Sequence, residues 1–377
     1  MNDDKNRQTG NENWMDKYAM DEDRSTSSPR TEESDLDWLQ VVDNTKSKRS
    51  KRNKESLGKR FIKSIIPWKG DPALEVIRKL LLIIAIIVLI GCLVWGAGRL
   101  IERYHSSQQT SELENLIDES SELTLEEAQA LYPDVEFPEG MQPKFYQHYA
   151  LNQDFVGWLT IEGKNISLPI VQGDDNDYYL YRDFYGQDTD YGNPFLDYRN
   201  TIVEPFDQNT IIYGHYMRDE MIFSSLKEYR SISGFQESPV IEFDTLYRDT
   251  KWKVYAVYQT NADPADDNGY VFDYLYTNFP SEESFESFIE AVDERKLYTT
   301  GVDINSSDKI ITLSTCSYNY DSERLVVVAR LVREGEDETV DTSKAYANPS
   351  PRYPQAWYDE NGRENPYKDA DRWTIDG

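Results

Sequence analysis

The chain has 377 residues, and its hydrophobic content of 38%, with 13% aromatic residues, is enough for a sizeable core in one or two domains. A formal net charge of −29 excludes nucleic acid as a general partner, because phosphate binding depends on an excess of Lys and Arg. The composition therefore excludes a wholly disordered chain and favours a folded protein with other partners.

The N-terminal part predicts a tail followed by one membrane span. Residues 1–45 are polar and mostly acidic, which is typical of disorder. Residues 80–98 carry no charge, and a bilayer core takes roughly 20 residues to cross. We predict a single transmembrane helix over 80–98, with a buried core helix as the alternative.

Charge on the two sides of this span predicts its orientation. Lys and Arg dominate residues 46–79, whereas only Arg99 and Arg103 follow the span closely. The positive-inside bias makes 1–79 a cytoplasmic tail with a basic juxtamembrane segment, and the rest of the chain extracellular. The basic segment is also a candidate nucleic-acid site, but topology and anionic lipid are sufficient reasons for it.

Residues 99–141 read as an extracellular stalk with a short helix. The stretch 106–121 is polar, and Thr124 with Glu127 forms a capping box that opens a helix. A second helical stretch, KFYQHYAL, spans 144–151. The sequence therefore predicts short helices ahead of the main domain.

From Asp154 the pattern changes to eight short β-type runs separated by turn residues, which predicts a mostly β fold, either a barrel or a sandwich. The runs are 155–161, 166–171, 193–198, 210–216, 239–243, 251–260, 309–316 and 324–332. An amphipathic helix at 281–296, between the sixth and seventh strands, should pack one stripe on the sheet. Residues 334–377 are acidic and rich in Pro and Tyr, which predicts an extended, disordered tail.

Two cysteines and three histidines limit the possible chemistry. Cys92 lies inside the span, so Cys316 has no intrachain partner and is a buried apolar side chain, an intermolecular bridge or a nucleophile. His105 and His148 are expected to have surface or packing roles. His215 follows the strand TIIYG and should lie at a barrel rim.

Arg324 begins the strand after Cys316, so a hairpin should bring the two side by side at one rim. A guanidinium there is able to hold a substrate carbonyl or its developing negative charge. The alternative is that Arg324 only pairs with Asp321 or Glu323.

These residues carry a family resemblance. TLSTC (312–316), IIYGH (211–215) and a strand that starts at Arg324 are similar to the sortase signature, and DFVGWLTIEGKNISLPIVQ (154–172) and FLDYRN (195–200) resemble class B sortases. The likeness runs from Gln142 to Arg333. It implies an eight-stranded sortase-type β-barrel over 142–333.

The resemblance also implies a cysteine transpeptidase of the Gram-positive cell surface. Cys316 would attack the Thr carbonyl of a C-terminal sorting signal on a secreted protein, His215 would move the protons and Arg324 would steady the oxyanion. A peptidoglycan-precursor amine would then take the acyl group. Similarity to the class assigns the groove walls, each of which could equally be a packing residue: Asn176, Leu180, Tyr274, Leu275 and Ser314.

Two alternatives stay open at this point: a pilin-polymerising sortase that uses a pilin lysine as acceptor, and an inactive membrane-anchored binding protein. One departure from the class is Asn193-Pro194 before FLDYRN, where small residues are expected. No cofactor is expected. The acidic stretches 174–177 and 263–269 read as solvated loops, because neither has the EF-hand pattern.

Overall fold

The computed structural model describes residues 56–120, 122–204, 206–217, 221–316 and 322–375. They fall into two compact units that divide between Val88 and Leu89. Residues 1–55 of the predicted cytoplasmic tail lie outside the described residues. The basic segment that follows is not disordered throughout, because α1 (Leu57–Ile65) forms there with Ser56 as its N-cap.

The second helix, α2 (Ala73–Ser120), contains the predicted span. Among the described residues it is the one helix long and apolar enough to cross a membrane, and its most apolar stretch has no protein packed on it. The predicted polar stalk 106–121 is helical up to Ser120. The reason is an apolar stripe at i, i+3 and i+4, where Leu113 is buried and Leu116 and Ile117 pack against the core.

Two short helices follow, as the sequence predicts. Thr124 and Glu127 form the predicted capping box at the start of α3 (Leu125–Leu131). The helix α4 (Tyr146–Leu151) carries His148, which is fully buried. His148 Nε2 donates a hydrogen bond of 2.7 Å to the Leu113 carbonyl oxygen of α2, so the packing role expected for this histidine is confirmed.

Eight strands close into a barrel in the order β1-β2-β3-β4-β8-β9-β6-β5, which confirms the predicted fold class. Their bounds are β1 Phe155–Ile161, β2 Ile166–Val171, β3 Phe195–Leu196, β4 Asn209–Gly214, β5 Val240–Thr245, β6 Lys251–Asn261, β8 Ile310–Cys316 and β9 Glu323–Leu331. A separate two-stranded sheet joins β7 (Tyr298–Thr299) to β10 (Tyr346–Ala347). The remaining helices are α5 (Ile232–Glu237), α6 (Glu282–Arg295) and α7 (Gln355–Glu360).

Several barrel strands are buried on both faces, and this is why their sequences are apolar runs. Along β9, Val327 joins the larger core, to which every barrel strand contributes, whereas Val326 and Val328 join a smaller core. Successive side chains of a strand point to opposite faces, so the smaller core lies on the outer face of the barrel. The helix α6 covers it with Phe285 and Phe288, which confirms the predicted helix and its packing stripe.

Residues 334–375, the C-terminal segment, are not a disordered extension. The segment pairs β10 with β7, and Arg352 Nη1 lies 2.9 Å from Glu294 Oε2 of α6. Tyr358 and Asn365 are buried. The composition is misleading because Trp373 packs on Phe272 and on Phe288 of α6, so the segment does not depend on a core of its own.

The buried His148 predicts a pH-dependent stability. Burial lowers the pKa of His148 from its ordinary 6.5 to about 4, against the smaller raising effect of its hydrogen bonds. Between pH 6.5 and about 4, His148 is therefore protonated in the unfolded chain and neutral in the folded one. The neutral, buried His148 therefore lowers the free energy of unfolding only in acid. That free energy should be unaffected by His148 above pH 6.5 and should fall by up to about 3 kcal/mol as the pH drops to about 4.

Urea unfolding of the detergent-solubilised chain at a series of pH values measures this effect. His148→Gln should flatten the dependence between pH 6.5 and 4, while the exposed-histidine control His105→Gln should keep the wild-type slope. An unchanged slope in His148→Gln would contradict the assignment.

Candidate active site

Three neighbouring strand ends bring the predicted catalytic residues to one rim of the barrel. The parallel pairing of β4 with β8 sets Gly214 opposite Thr315. His215 is the residue that follows β4, and Cys316 is the last residue of β8. The antiparallel pairing of β8 with β9 sets Cys316 opposite Arg324, as the predicted hairpin requires. The backbone at Cys316 is therefore flanked by His215 on one side and Arg324 on the other.

The imidazole of His215 is oriented by a main-chain carbonyl. Its Nε2 lies 2.7 Å from the Leu180 carbonyl oxygen, which can only accept, so Nε2 carries the proton. Nδ1 is then the nitrogen with a free lone pair in the neutral ring. This is the tautomer in which Nδ1 can accept a proton from a neighbouring group.

A glycine makes room for this carbonyl. Gly192 has φ +62°, and a Cβ on it would stand 2.6 Å from the Leu180 carbonyl oxygen and 2.7 Å from that of Tyr179. Both distances are too short for any side chain. Gly192 thus allows the chain segments of the β2–β3 connection to approach closely where the acceptor of His215 is held.

Arg324 is half-buried, and its guanidinium meets no carboxylate among the described residues. Its Nη1 donates to the carbonyl oxygens of Ser322 (3.3 Å) and Glu323 (3.1 Å). The Glu323 carboxylate instead accepts from Arg230 Nη2 (3.1 Å) and from Gln259. The expected alternative of an Arg324–Glu323 ion pair is therefore wrong, while Asp321, the other alternative partner, lies outside the described residues.

Beside these strand ends lies a cleft of about 340 Å³. His215 and Arg324 line it, together with all five predicted groove-wall residues: Asn176, Leu180, Tyr274, Leu275 and Ser314. Tyr274 and Ser314 are joined by a buried hydrogen bond of 2.7 Å between their hydroxyl oxygens. The side chain of Cys316 lies outside what the structure describes.

A buried carboxylate connects three walls of this cleft. Asp197 accepts hydrogen bonds from the guanidinium of Arg199 (2.8 Å), the Tyr213 hydroxyl (2.8 Å) and the Asn176 side chain (3.1 Å). Arg199 Nη2 also donates to the Leu275 carbonyl oxygen at 2.9 Å. Burial by itself raises the pKa of Asp197, but the hydrogen bonds from Arg199, Tyr213 and Asn176 hold it below its usual value. Asp197 therefore stays ionised and ties the walls together.

Asp197 and Arg199 belong to FLDYRN and Tyr213 belongs to IIYGH, but none of the three is predicted as a site residue from the sequence. Tyr213 stands two residues before His215 on β4, opposite Ser314 of β8, and strand alternation indicates that such residues share a face. That signal was available in the sequence. The contact between Arg199 and Leu275 was not, because it joins two loops that are 76 residues apart.

The departure at Asn193-Pro194 has a structural reason. Asn193 is buried, and its amide nitrogen Nδ2 donates to the carbonyl oxygens of Pro169 (2.9 Å) and Pro194 (2.8 Å). Its backbone N–H donates to the Tyr179 carbonyl oxygen at 3.0 Å. Asn193 thus fastens the β2–β3 connection that carries Asn176 and Leu180.

Each of the two acidic stretches contains a turn in which an aspartate accepts hydrogen bonds from nearby backbone N–H groups. Asp175 Oδ1 accepts from the backbone N–H groups of Asp177 (2.9 Å) and Tyr178 (2.8 Å). Asp263 caps a 3₁₀ turn by accepting from the Ala265 N–H at 2.9 Å. In the part of the chain that the structure describes, no three His, Cys, Asp or Glu side chains are grouped as a metal ion would require.

Comparison with known proteins identifies the family. A family model of the sortase domain matches residues 159–332. Sortase B of Listeria monocytogenes is 38% identical over 184 residues, which is 48% of this chain and 71% of that protein. Sortase B of Staphylococcus aureus is 31% identical over 197 residues, 52% of this chain and 77% of that protein.

A solved structure agrees with these matches. The crystal structure of Staphylococcus aureus Sortase B superposes with a TM-score of 0.50 at 28% identity, and the match covers 62% of this chain and 99% of that one. The eight-stranded barrel is thus shared with a class B enzyme. The chain belongs to the sortase family, as a cysteine transpeptidase of class B.

Proposed function

We propose that this sortase is anchored in the cell membrane by α2, cleaves the C-terminal sorting signal of secreted proteins after Thr, and transfers the acyl group to a peptidoglycan-precursor amine. The observation that supports this proposal best is the register of β4, β8 and β9, in which His215, Cys316 and Arg324 share one rim beside the cleft. We further propose residues 142–333 as the catalytic domain.

The first half of the reaction starts with the proton of the Cys316 thiol transferred to His215 Nδ1, and the Cys316 thiolate attacks the carbonyl carbon of the substrate Thr. The tetrahedral intermediate collapses to a thioester as the peptide C-terminal to Thr leaves as an amine. His215 gives that amine its proton. With Nε2 held by the Leu180 carbonyl oxygen, Nδ1 is the nitrogen that exchanges the proton.

In the second half, the acceptor amine attacks the thioester. Its proton goes to His215, the carbonyl forms an amide with the acceptor, and Cys316 leaves as a thiolate. The enzyme is then in its starting protonation state. A pilin lysine would follow the same steps, so the acceptor is decided by what the cell presents beside the rim.

Arg324 stabilises the negative charge that develops on the Thr carbonyl oxygen. Support comes from its guanidinium, which lines the cleft and binds only main-chain carbonyls among the described residues. The sorting signal lies along the walls formed by Asn176, Leu180, Tyr274, Leu275 and Ser314. Their mixture of apolar side chains and a few hydroxyl and amide groups is typical of a peptide groove.

Replacement of the nucleophile tests the reaction. Cys316→Ala should abolish cleavage of a sorting-signal peptide without loss of fold, because a small side chain replaces a small one at a strand end. The matched control is Cys92→Ala, which removes the other cysteine, in α2. Peptide cleavage is followed by mass spectrometry, and melting temperature reports the fold. Retained transpeptidation in Cys316→Ala would overturn the mechanism.

The role of Arg324 predicts a large effect of a charge-conserving change. Arg324→Lys loses the forked geometry and should lower kcat/KM on the order of 10²-fold or more, with an unchanged melting temperature. A simple exposed ion pair, worth about 0 to 1 kcal/mol, predicts near-normal turnover instead.

Arg248→Lys is the control, because Arg248 precedes β6 in the hairpin after β5, whereas Arg324 pairs with Thr260 at the other end of β6. Near-normal kcat/KM in Arg324→Lys, equal to that of the control, would contradict the oxyanion role.

We propose that the N-terminus is cytoplasmic and the barrel extracellular, since Lys and Arg dominate residues 46–79. Protease added to intact protoplasts should digest the barrel and leave an N-terminal epitope protected. Protection of the barrel with loss of the N-terminal epitope would show the opposite orientation.

A further inference from the structure

The C-terminal segment lies beyond the residues that the sortase family model matches, 159–332. Its last described aromatic residue, Trp373, packs against a wall of the cleft. The wall in question is formed by residues 271–275, in the connection between β6 and α6, and all five residues line the cleft.

Residues 270–276 contain neither helix nor strand. Side chains of β4 and of the loop after β3 hold them: Asn209 Nδ2 donates to the carbonyl oxygens of Tyr274 (3.3 Å) and Tyr276 (2.9 Å), and Arg199 donates to that of Leu275. A segment without its own backbone ladder depends on such packing for its position. What supports it from behind therefore matters for the shape of the cleft.

Trp373 supplies that support. Its ring centroid is 5.6 Å from that of Phe272 and 6.1 Å from that of Tyr276, both within the loop. The same ring is 5.6 Å from Phe288 of α6, and its Nε1 donates to Ser287 Oγ at 2.8 Å. Trp373 is thus wedged between the wall and the helix that covers the barrel.

The Trp373 carbonyl and the neighbouring Arg372 side chain hold the start of the same loop. The Tyr270 hydroxyl donates to the Trp373 carbonyl oxygen at 3.0 Å, and Arg372 Nη2 donates to the Asn268 carbonyl oxygen at 2.9 Å. The Arg372 guanidinium also stacks over the Tyr270 ring at 5.4 Å. Both ends of the cleft wall are therefore fastened to the last residues of the C-terminal segment.

We propose that Trp373 is a positioning residue that holds residues 271–275 in the conformation that receives the sorting signal. It touches no reacting atom and acts through Phe272 and Tyr276. The inference rests on the proposed function in one respect, namely that 271–275 contact the substrate peptide. A wall that is already ordered before binding strengthens the affinity for the peptide, because no binding free energy is used to order it.

Steady-state kinetics on a sorting-signal peptide separate this role from general stability. Trp373→Ala should raise KM roughly fivefold to fiftyfold and change kcat by less than about twofold, because binding rather than chemistry loses its support. Trp373→Phe keeps a ring against Phe272 and should restore KM to within about threefold of wild type.

The matched control is Trp357→Ala. Trp357 belongs to the same segment but stacks on Tyr353 at 3.8 Å, with Arg363 over its ring, and these partners also belong to the C-terminal segment. Its KM should stay within about twofold of wild type.

Hydrogen–deuterium exchange of peptides that cover residues 270–276 tests the support without any substrate. Exchange there should be faster in Trp373→Ala than in wild type and Trp357→Ala, with β8 and β9 unchanged. If the wild type cleaved no sorting signal, the proposed function would fail while this exchange result still tested the positioning role. The inference would be overturned if Trp373→Ala showed wild-type exchange and KM. It would also be overturned if Trp373→Phe folded but was as impaired as Trp373→Ala.

Discussion

The hydrogen-bond register of β8 between its two neighbours is the constraint on which the site depends. β8 pairs in parallel with β4 and antiparallel with β9, so the position of Cys316 relative to His215 and Arg324 is fixed by two ladders. A slip of one residue in either ladder would turn every side chain of β8 to the other face. On β8, Ile311 and Leu313 belong to the larger core, whereas Thr312 and Ser314 point to the other face. Such a slip would place the two hydroxyls in that core, so the apolar residues specify the register of the catalytic ones.

The walls of the cleft are built on a different principle. They belong to connections with little regular structure, and single side chains hold them in place. Asp197 and Arg199 join the β2–β3 connection, β4 and the loop before α6. Trp373 packs against that same loop from the outside. The barrel thus fixes the reacting groups, while these side chains shape the surface that a substrate meets.

The parts predicted from sequence are those with a local signal. Alternation and turn residues predict eight strands, and the i, i+3, i+4, i+7 spacing of Phe285, Phe288, Ile289 and Val292 predicts α6. The His215 and Arg324 positions follow from where their strands end and begin. The parallel pairing of β4 with β8 has no local signal, since about a hundred residues separate the two strands.

The predictions of a polar stalk over 106–121 and of a disordered C-terminal segment are wrong. Composition alone does not show which apolar residues have tertiary partners. The stretch 106–121 is polar overall, yet Leu113 and its neighbours form one apolar stripe that docks on the domain. The C-terminal segment has no alternation of its own, yet Tyr358 is buried and Trp373 packs between a loop and α6. In both cases too few residues are buried to raise the mean hydropathy of the segment.

The central claim is that Cys316 carries the acyl group between donor and acceptor. Its most direct test is intact-mass analysis of the wild-type chain mixed, without acceptor amine, with peptides from secreted proteins that end in a Thr-containing signal, a hydrophobic stretch and a basic tail. The expected result is a mass increase equal to the fragment that ends in Thr. The adduct should map to Cys316 and be removed by hydroxylamine, which cleaves thioesters. Cleavage of the same peptide with the adduct on another residue, or with no hydroxylamine-sensitive adduct at all, would contradict it.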